Sequence, residues 1–380
     1  MGAHFQLNGK FLAAPPTGVH RVAGELANAL AGLIAAGHPA ARGLSLEALV
    51  PRDGLARAKA LRLPVRELAP LAGIPWEQLT LPLAHRGEGR GTLLNLCNIG
   101  PVLARDAVTM IHDVQVLLSP GSYTAAFRAW YRLVQPALAR RHRLLLTVSA
   151  YSRAQIVAAG LAPPERIAVV PNGVDHVLAT PADPAILARL DLNSGTGLAS
   201  GMGLNAGGYV LALANTQAHK NVGLLLRAFA RPELADLKLV LFGAQDRAAF
   251  VRAGHPVPAN AVFAGRTSDG ELRALMEQAL CLAFPSTTEG FGLPPLEAML
   301  LGCPAIVAPC GALPEVCGGA ALTAPEDDPA AWAGLIAALA RDSALRAALA
   351  RAGRQRAAGF TWQRSAIVLA EVLGSLHLRG

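Results

Sequence analysis

Charge is scarce in this chain. Asp, Glu, Lys and Arg make up 16% of its 380 residues, aromatic residues 5%, and lysine occurs only at Lys10, Lys59, Lys220 and Lys238. With 52% hydrophobic residues, there is ample material for buried parallel sheets. The five cysteines, Cys97, Cys281, Cys303, Cys310 and Cys317, never form C-x-x-C. The last three lack a zinc-finger spacing, so they read as small buried side chains of a reducing compartment. No D-x-D occurs, so the usual carboxylate pair for holding magnesium is missing. H-E-x-x-H, G-x-S-x-G and the Walker loop are missing too. No run approaches the roughly 18 apolar residues that a membrane-spanning helix needs. The opening MGAHFQLNGK lacks a basic start followed by an apolar run, and Gln6 breaks the myristoylation pattern. The expected location is cytoplasmic, or peripheral on the inner face of the cytoplasmic membrane.

What is present suits two domains of roughly 150–200 residues each. Lys and Arg number 34 against 26 acidic residues, a net charge of +8. That balance suits nucleotides, lipid headgroups or nucleic acid, or it reflects a composition rich in arginine. No basic run interleaved with aromatics supports nucleic acid as the partner.

Short apolar runs alternate with helical patterns, which predicts βαβ units and parallel sheets. Strands are expected at 93–96, 107–111, 144–148, 167–170, 209–214, 238–242, 261–264, 281–285 and 305–308. Helices are expected at 24–33, 125–140, 153–159, 220–230, 271–278, 296–301, 329–340 and 361–378. Pro171-Asn172-Gly173 marks a turn, and the domain boundary is placed there. The divisions are 1–174, 175–360 and a final helix over 361–380 that packs back on the first domain. Within the glycine-rich segment 194–208, Gly201–Ala206 matches G-x-G-x-x-A. A loop precedes it and a strand follows, the reverse of a dinucleotide fingerprint.

Four constellations carry chemistry. The strongest is Glu289-Gly290-Phe291-Gly292-Leu293-Pro294-Pro295-Leu296-Glu297, a glycine loop between a strand and a helix. Pro294 and Pro295 suit a first helical turn, where a missing N–H costs nothing. Amides from Gly290 to Leu293 are expected to point outward, toward an anion or sugar hydroxyls. The two carboxylates accept hydrogen bonds only, which suits a hydroxyl-rich ligand. Glu297, expected in the first helical turn, could instead serve the helix dipole, worth about 0.3–1 kcal/mol. Lys220-Asn221 opens the next candidate, with the lysine beside a helix N-terminus suited to pyrophosphate, or simply solvated. His112-Asp113 ends an apolar strand, where ligands of α/β sheets bind. His112 there is either structural or a sugar contact that shares a proton, and Asp113 caps the next segment. Gly18, in Thr17-Gly18-Val19-His20-Arg21, sits at the start of the first long helix.

These residues resemble glycosyltransferase family 4 of the GT-B fold. Glu289…Glu297 matches its E-x7-E motif. Further matching stretches are PPTGVHRVAGEL (15–26), WEQLTLPL (76–83), NLCNIGP (95–101), MIHDV (110–114), TVSAYSR (147–153), VVPNGVD (169–175), HKNVGLLLRAF (219–229) and Ala312–Val316. The first half is especially similar to bacterial polysaccharide mannosyl- and rhamnosyltransferases. The resemblance implies an α/β GT-B chain with two Rossmann-like domains facing a central cleft. It implies a retaining, metal-independent hexosyltransferase with no cofactor, first mannose from GDP-mannose. The acceptor would be a glycan or lipid-linked. Another donor (UDP-glucose, UDP-GlcNAc, dTDP-rhamnose) or a nucleotide-sugar epimerase of this fold is the alternative.

By the same resemblance, Lys220 binds pyrophosphate and Glu289, with the amides of Gly290, Phe291, Gly292 and Leu293, holds the donor sugar. Glu297 holds the ribose, and Arg266 and Thr267 flank the base. His112 reaches the sugar, and Gly18 lines the phosphates. Catalysis is implied for His112, Lys220 and Glu289. Where relatives carry an arginine, this chain has Ala214 and His219, so one phosphate contact is either lost or supplied elsewhere, for instance by His219 or Arg266. Basic and aromatic residues from Arg128 to Arg143 suit an anionic bilayer or a solvated face.

Overall fold

The computed structural model describes residues 2–87, 91–192 and 208–378. The G-x-G-x-x-A match at 201–206 lies outside the described residues. Contacts divide the chain into two compact units, Met1–Gly173 with Phe360–Gly380, and Val174–Gly359.

The first unit is built on a seven-stranded parallel sheet. Its strands are β1 (Ala3–Asn8), β2 (Leu44–Pro51), β3 (Val65–Leu68), β4 (Thr92–Asn95), β5 (Ala107–Met110), β6 (Leu144–Thr147) and β7 (Ile167–Val169). They lie in the order β3-β2-β1-β4-β5-β6-β7. The second unit carries β8 (Tyr209–Leu213), β9 (Lys238–Phe242), β10 (Ala261–Gly265), β11 (Cys281–Phe284), β12 (Ala305–Val307) and β13 (Leu322–Thr323). Their order is β10-β9-β8-β11-β12-β13, again parallel. In each sheet the winding reverses once, between β1 and β4 and between β8 and β11. Such a reversal leaves a crevice at the carboxyl ends of the two strands, where ligands of open α/β sheets bind.

The central strands β4, β5 and β11 are buried at every residue, as sheets covered on both faces require. Their continuous apolar runs made them readable. β1, β2, β3 and β13 were not expected. β1 interleaves His4, Gln6 and Asn8 with apolar residues, and edge strand β3 alternates exposed with half-buried positions.

Several helices begin earlier than their apolar pattern, because capping residues set the start. Thr17 caps Gly18–Ala35, Ser149 caps Ala150–Ala158, and Ser268 with Glu271 forms a capping box on Asp269–Gln278. The long first helix buries Val22, Leu26, Leu30 and Leu33 on one face. The last helix, Trp362–Leu378, packs against it within the first unit. A Cβ on Gly173 would stand 2.6 Å from the Thr361 carbonyl carbon, so the chain leaves and re-enters this unit at one spot.

Candidate active site

In the second unit, the loops that follow β8 and β11 meet at the reversal. The Thr287 amide donates to the His219 carbonyl at 2.8 Å, stitching one loop to the other. Across that seam the Lys220 ammonium donates to Glu289 Oε1 at 2.6 Å. Both side chains are largely buried, and the ammonium lies 5.8 Å from the centre of the Phe284 ring. An ammonium carries three donors, so the others stay available to a further acceptor.

Lys220 does not open the helix as expected. It ends a short 3-10 turn, Ala218–Lys220, and the helix Val222–Phe229 starts after Asn221. Asn221 adopts left-handed backbone with φ 52°, a conformation asparagine tolerates. Its side-chain amide donates to the Glu326 carbonyl at 2.7 Å, which fixes the corner. The lysine is therefore aimed by a turn, not by a helix.

Glu289 is held from behind. The Ala312 amide donates to its carbonyl at 3.0 Å. Gly311, at φ 62°, lies so close that a Cβ there would stand 2.5 Å from the Glu289 amide nitrogen. Leu313 fills the space beside Gly292, itself at φ 99° and closing the loop before the helix Leu293–Leu300. This explains why the similarity continues through Ala312–Val316: that stretch braces the motif. Within the loop, Gly290, Phe291 and Gly292 are buried and Leu293 is partly exposed.

Glu297 also departs from expectation. The helix starts at Leu293 and has no acidic residue in its first turn, which weakens the dipole role. Instead its carboxylate meets His176 Nε2 at 3.2 Å. His176, in the turn Asp175–His176–Val177–Leu178, was not singled out from sequence. Its position just after VVPNGVD was the available signal.

His219 supplies no charge. Burial, reinforced by Lys220, lowers its imidazole to about 4, so it is neutral at pH 7. Arg266 is exposed and Thr267 half-buried, just beyond edge strand β10 and separated from β8 by β9. Among the described residues, no group of three or more His, Cys, Asp or Glu is placed to hold a metal ion.

In the first unit, His112 follows β5 and is buried. Its Nε2–H donates to the Leu96 carbonyl at 2.8 Å, leaving Nδ1 as the acceptor nitrogen. Burial lowers its pKa to about 4. At neutral pH it therefore offers a lone pair and carries no proton to share as an imidazolium. Asn98, at φ 62°, accepts from the His112 amide at 2.7 Å, and Ser152 Oγ donates to the His112 carbonyl at 2.9 Å. The NLCNIGP and TVSAYSR stretches thus frame this strand end. Asp113 accepts from the Gln115 amide at 3.0 Å, the local cap expected of it. Gly18 is the exposed first residue of its helix.

The reversal between β1 and β4 holds a cluster that the sequence did not reveal. Glu77 accepts from Lys10 Nζ at 2.7 Å and from Asn8 Nδ2 at 3.0 Å. Asn8 also donates to Asn95 Oδ1 at 3.0 Å, and Asn95 in turn donates to Thr109 Oγ1 at 3.0 Å. Glu77 sits in a π-helical turn, Trp76–Thr80, with Trp76 fully buried beside it.

Residues 206–356 match the family model described as glycosyl transferases group 1. The chain is 31% identical over 245 residues to the MMP alpha-(1->4)-mannosyltransferase of Mycolicibacterium hassiacum, covering 62% of this chain and 55% of that protein. It is 29% identical over 270 residues to the O-antigen chain mannosyltransferase B of Escherichia coli, covering 68% and 67%. The chain thus spans about half the length of the first relative and two thirds of the second. Among solved structures it resembles Anabaena HepE in complex with UDP and glucose, with a TM-score of 0.70 at 19% identity over 99% of this chain and 100% of that one. The two parallel sheets are those of the GT-B fold.

Proposed function

We propose that this chain is a retaining, metal-independent hexosyltransferase. It moves a hexose, mannose from GDP-mannose as the first choice, from a nucleoside diphosphate onto a glycan or lipid-linked acceptor in polysaccharide or glycolipid synthesis. The observation that carries this reading is the Lys220–Glu289 pair at the β8/β11 reversal, 2.6 Å apart and inside the stretch that matches the group 1 family model. A diphosphate leaving group needs positive charge, which the ammonium provides. A hexose needs acceptors for its hydroxyls, which the carboxylate provides. The names of the two curated relatives support mannose. Retention is assigned to front-face attack: the C1–phosphate bond breaks, the C1–acceptor oxygen bond forms on the same face, and the departing phosphate oxygen takes the acceptor proton. Catalysis is then charge stabilisation and positioning.

A thermal-shift panel of GDP-mannose, UDP-glucose, UDP-GlcNAc and dTDP-rhamnose tests the donor. Selective stabilisation by GDP-mannose is expected, since stabilisation follows affinity. Selective stabilisation by another donor removes the mannose assignment. Turnover should survive EDTA, and an inverted anomer in the NMR spectrum of the product would refute retention.

The membrane reading rests on the helix Ala125–Arg141 and the segment after it. Arg132, Leu133, Arg140, Arg141 and Arg143 are exposed there. Tyr131, expected on that surface, is instead buried and stacks on Phe127 at 4.4 Å. We assign this face to peripheral contact with anionic lipid. Flotation with anionic liposomes at low salt tests it, and a protein left at the bottom of the gradient retires it.

A further inference from the structure

The first unit has a second concave surface, at the end of its sheet opposite His112. An open cavity of about 320 Å³ lies where β4 and β5 begin, between the helix Leu81–Gly87 and the segment 103–106. That volume falls at the small end of ligand pockets, roughly 300–1,000 Å³. Its charge is one-sided. Among the described residues, Arg86 and Arg105 line it with a single carboxylate, Asp106. Asp106 Oδ1 already accepts from Arg143 at 3.1 Å and from Thr92 Oγ1 at 2.9 Å. Arg143 thus answers the acid, and the two lining guanidiniums are in excess. One N–H of Arg86 donates to the Leu103 carbonyl at 3.0 Å, which ties the two walls together and aims the guanidinium. A guanidinium carries five N–H donors in a planar fork, which suits the paired oxygens of a phosphate.

The rim of this cavity is apolar. Leu79 and Leu83 are 53% and 66% exposed, and Leu103, on the opposite wall, is 49% exposed. Leu83 and Arg86 are three residues apart on one helix and share a face, and Leu79 lies one turn earlier. A soluble phosphate would use the arginines and leave the leucines in water. A phospholipid uses both, with its headgroup among the arginines and hydrocarbon against the leucines. A second copy of this chain, packed here about a two-fold axis, would set guanidiniums against guanidiniums.

We propose that this cavity binds the phosphate headgroup of an anionic lipid while Leu79, Leu83 and Leu103 enter the acyl boundary. The inference rests on the peripheral membrane reading above and gives it a point of attachment. The two surfaces are joined through Arg143, which follows the helix Ala125–Arg141 and holds Asp106.

The test is co-flotation with vesicles of phosphatidylcholine, with and without phosphatidylglycerol, at low salt. The wild type should bind the anionic vesicles and not the neutral ones. Arg86→Gln with Arg105→Gln should weaken that binding by about 25-fold, since each arginine at an anionic surface is worth about 5-fold. Arg86→Lys with Arg105→Lys keeps the charge without the fork and should recover binding only in part. Leu79→Ser with Leu83→Ser should weaken it by about 10-fold or more, because the rim no longer inserts. All four side chains are exposed, so melting temperatures should stay at the wild-type value. Wild-type flotation by the glutamine pair, with Arg140→Gln and Arg141→Gln abolishing it, overturns the cavity and leaves the membrane reading standing. Full recovery by the lysine pair reduces the site to diffuse charge and overturns it as well. A wild type that ignores anionic vesicles overturns the membrane reading and this inference together. If that protein binds inorganic phosphate by calorimetry through Arg86 and Arg105, the cavity is a site for a soluble anion. A dimer by light scattering that falls to a monomer in Leu79→Ser with Leu83→Ser makes the rim an interface between copies, and the lipid assignment falls.

Discussion

Each unit places a lysine–glutamate pair where its sheet reverses, and the two pairs are built differently. In the first unit, Lys10 and Asn8 both donate to Glu77, whose side chain is 4% exposed. The chain of amides and hydroxyls behind it runs on to Thr109. In the second unit, Lys220 donates to a Glu289 side chain that is 11% exposed, and what surrounds that glutamate grips its backbone. One carboxylate is consumed by the fold. The other is presented by it. A buried charge pair is thus no signature of chemistry by itself; what matters is whether the scaffold holds the carboxylate oxygens or the main chain behind them.

Three measurements can break or sharpen that contrast. The largest effect is expected from Lys10→Met, which takes the cation away from the buried Glu77 carboxylate and leaves it the neutral Asn8 donor. Breaking a buried pair on one side costs about 3–5 kcal/mol, read as a lower urea midpoint. A Lys10→Met protein as stable as wild type would show that the first pair is not structural. Next, Lys220→Ala should cut turnover by about 10²–10³-fold, the cost of removing one charge-stabilising donor, with a smaller loss of stability than Lys10→Met. Wild-type turnover with a stability loss equal to that of Lys10→Met would make both pairs structural.

The smallest effect, taken residue by residue, concerns protons. Burial lowers His112 and His142 in the first unit, and His219 in the second, from an ordinary 6.5 to about 4. Between those values the unfolded chain takes up protons that the folded chain refuses. Stability is therefore full above pH 6.5 and declines as pH falls toward 4, by about 2 kcal/mol per imidazole at pH 5. Urea titrations at pH 7 and pH 5 check the sign. His142→Gln should flatten the dependence, and an unchanged slope would mean that this imidazole is not neutral in the fold.

The readable parts of the molecule were those that obey a local rule. β9 was legible to the residue, and β4, β5, β11 and β12 nearly so, because each is a short apolar run between turn signals. The glycine loop was legible because Pro294 and Pro295 announce a helix start. What escaped depends on distant neighbours. No apolar pattern shows that Asn221 turns left-handed and detaches Lys220 from its helix. Burial of His219 beside Lys220 decides its charge, and that contact is made only once the chain folds. Glu77 looked like an ordinary polar residue in WEQLTLPL until Asn8 and Lys10, far away in sequence, converged on it. Gly311 and His176 are of the same kind, spacers in sequence that become supports in space.

The closeness of Gly173 to Thr361 and Trp362 has a practical reach. Residues 174–359 are spliced into the first unit between two adjacent points, so the stretch is topologically an insert. Exchanging it for the same stretch of a relative needs only two neighbouring junctions. Chimaeras cut there would leave the amino-terminal body unchanged, provided position 173 stays glycine.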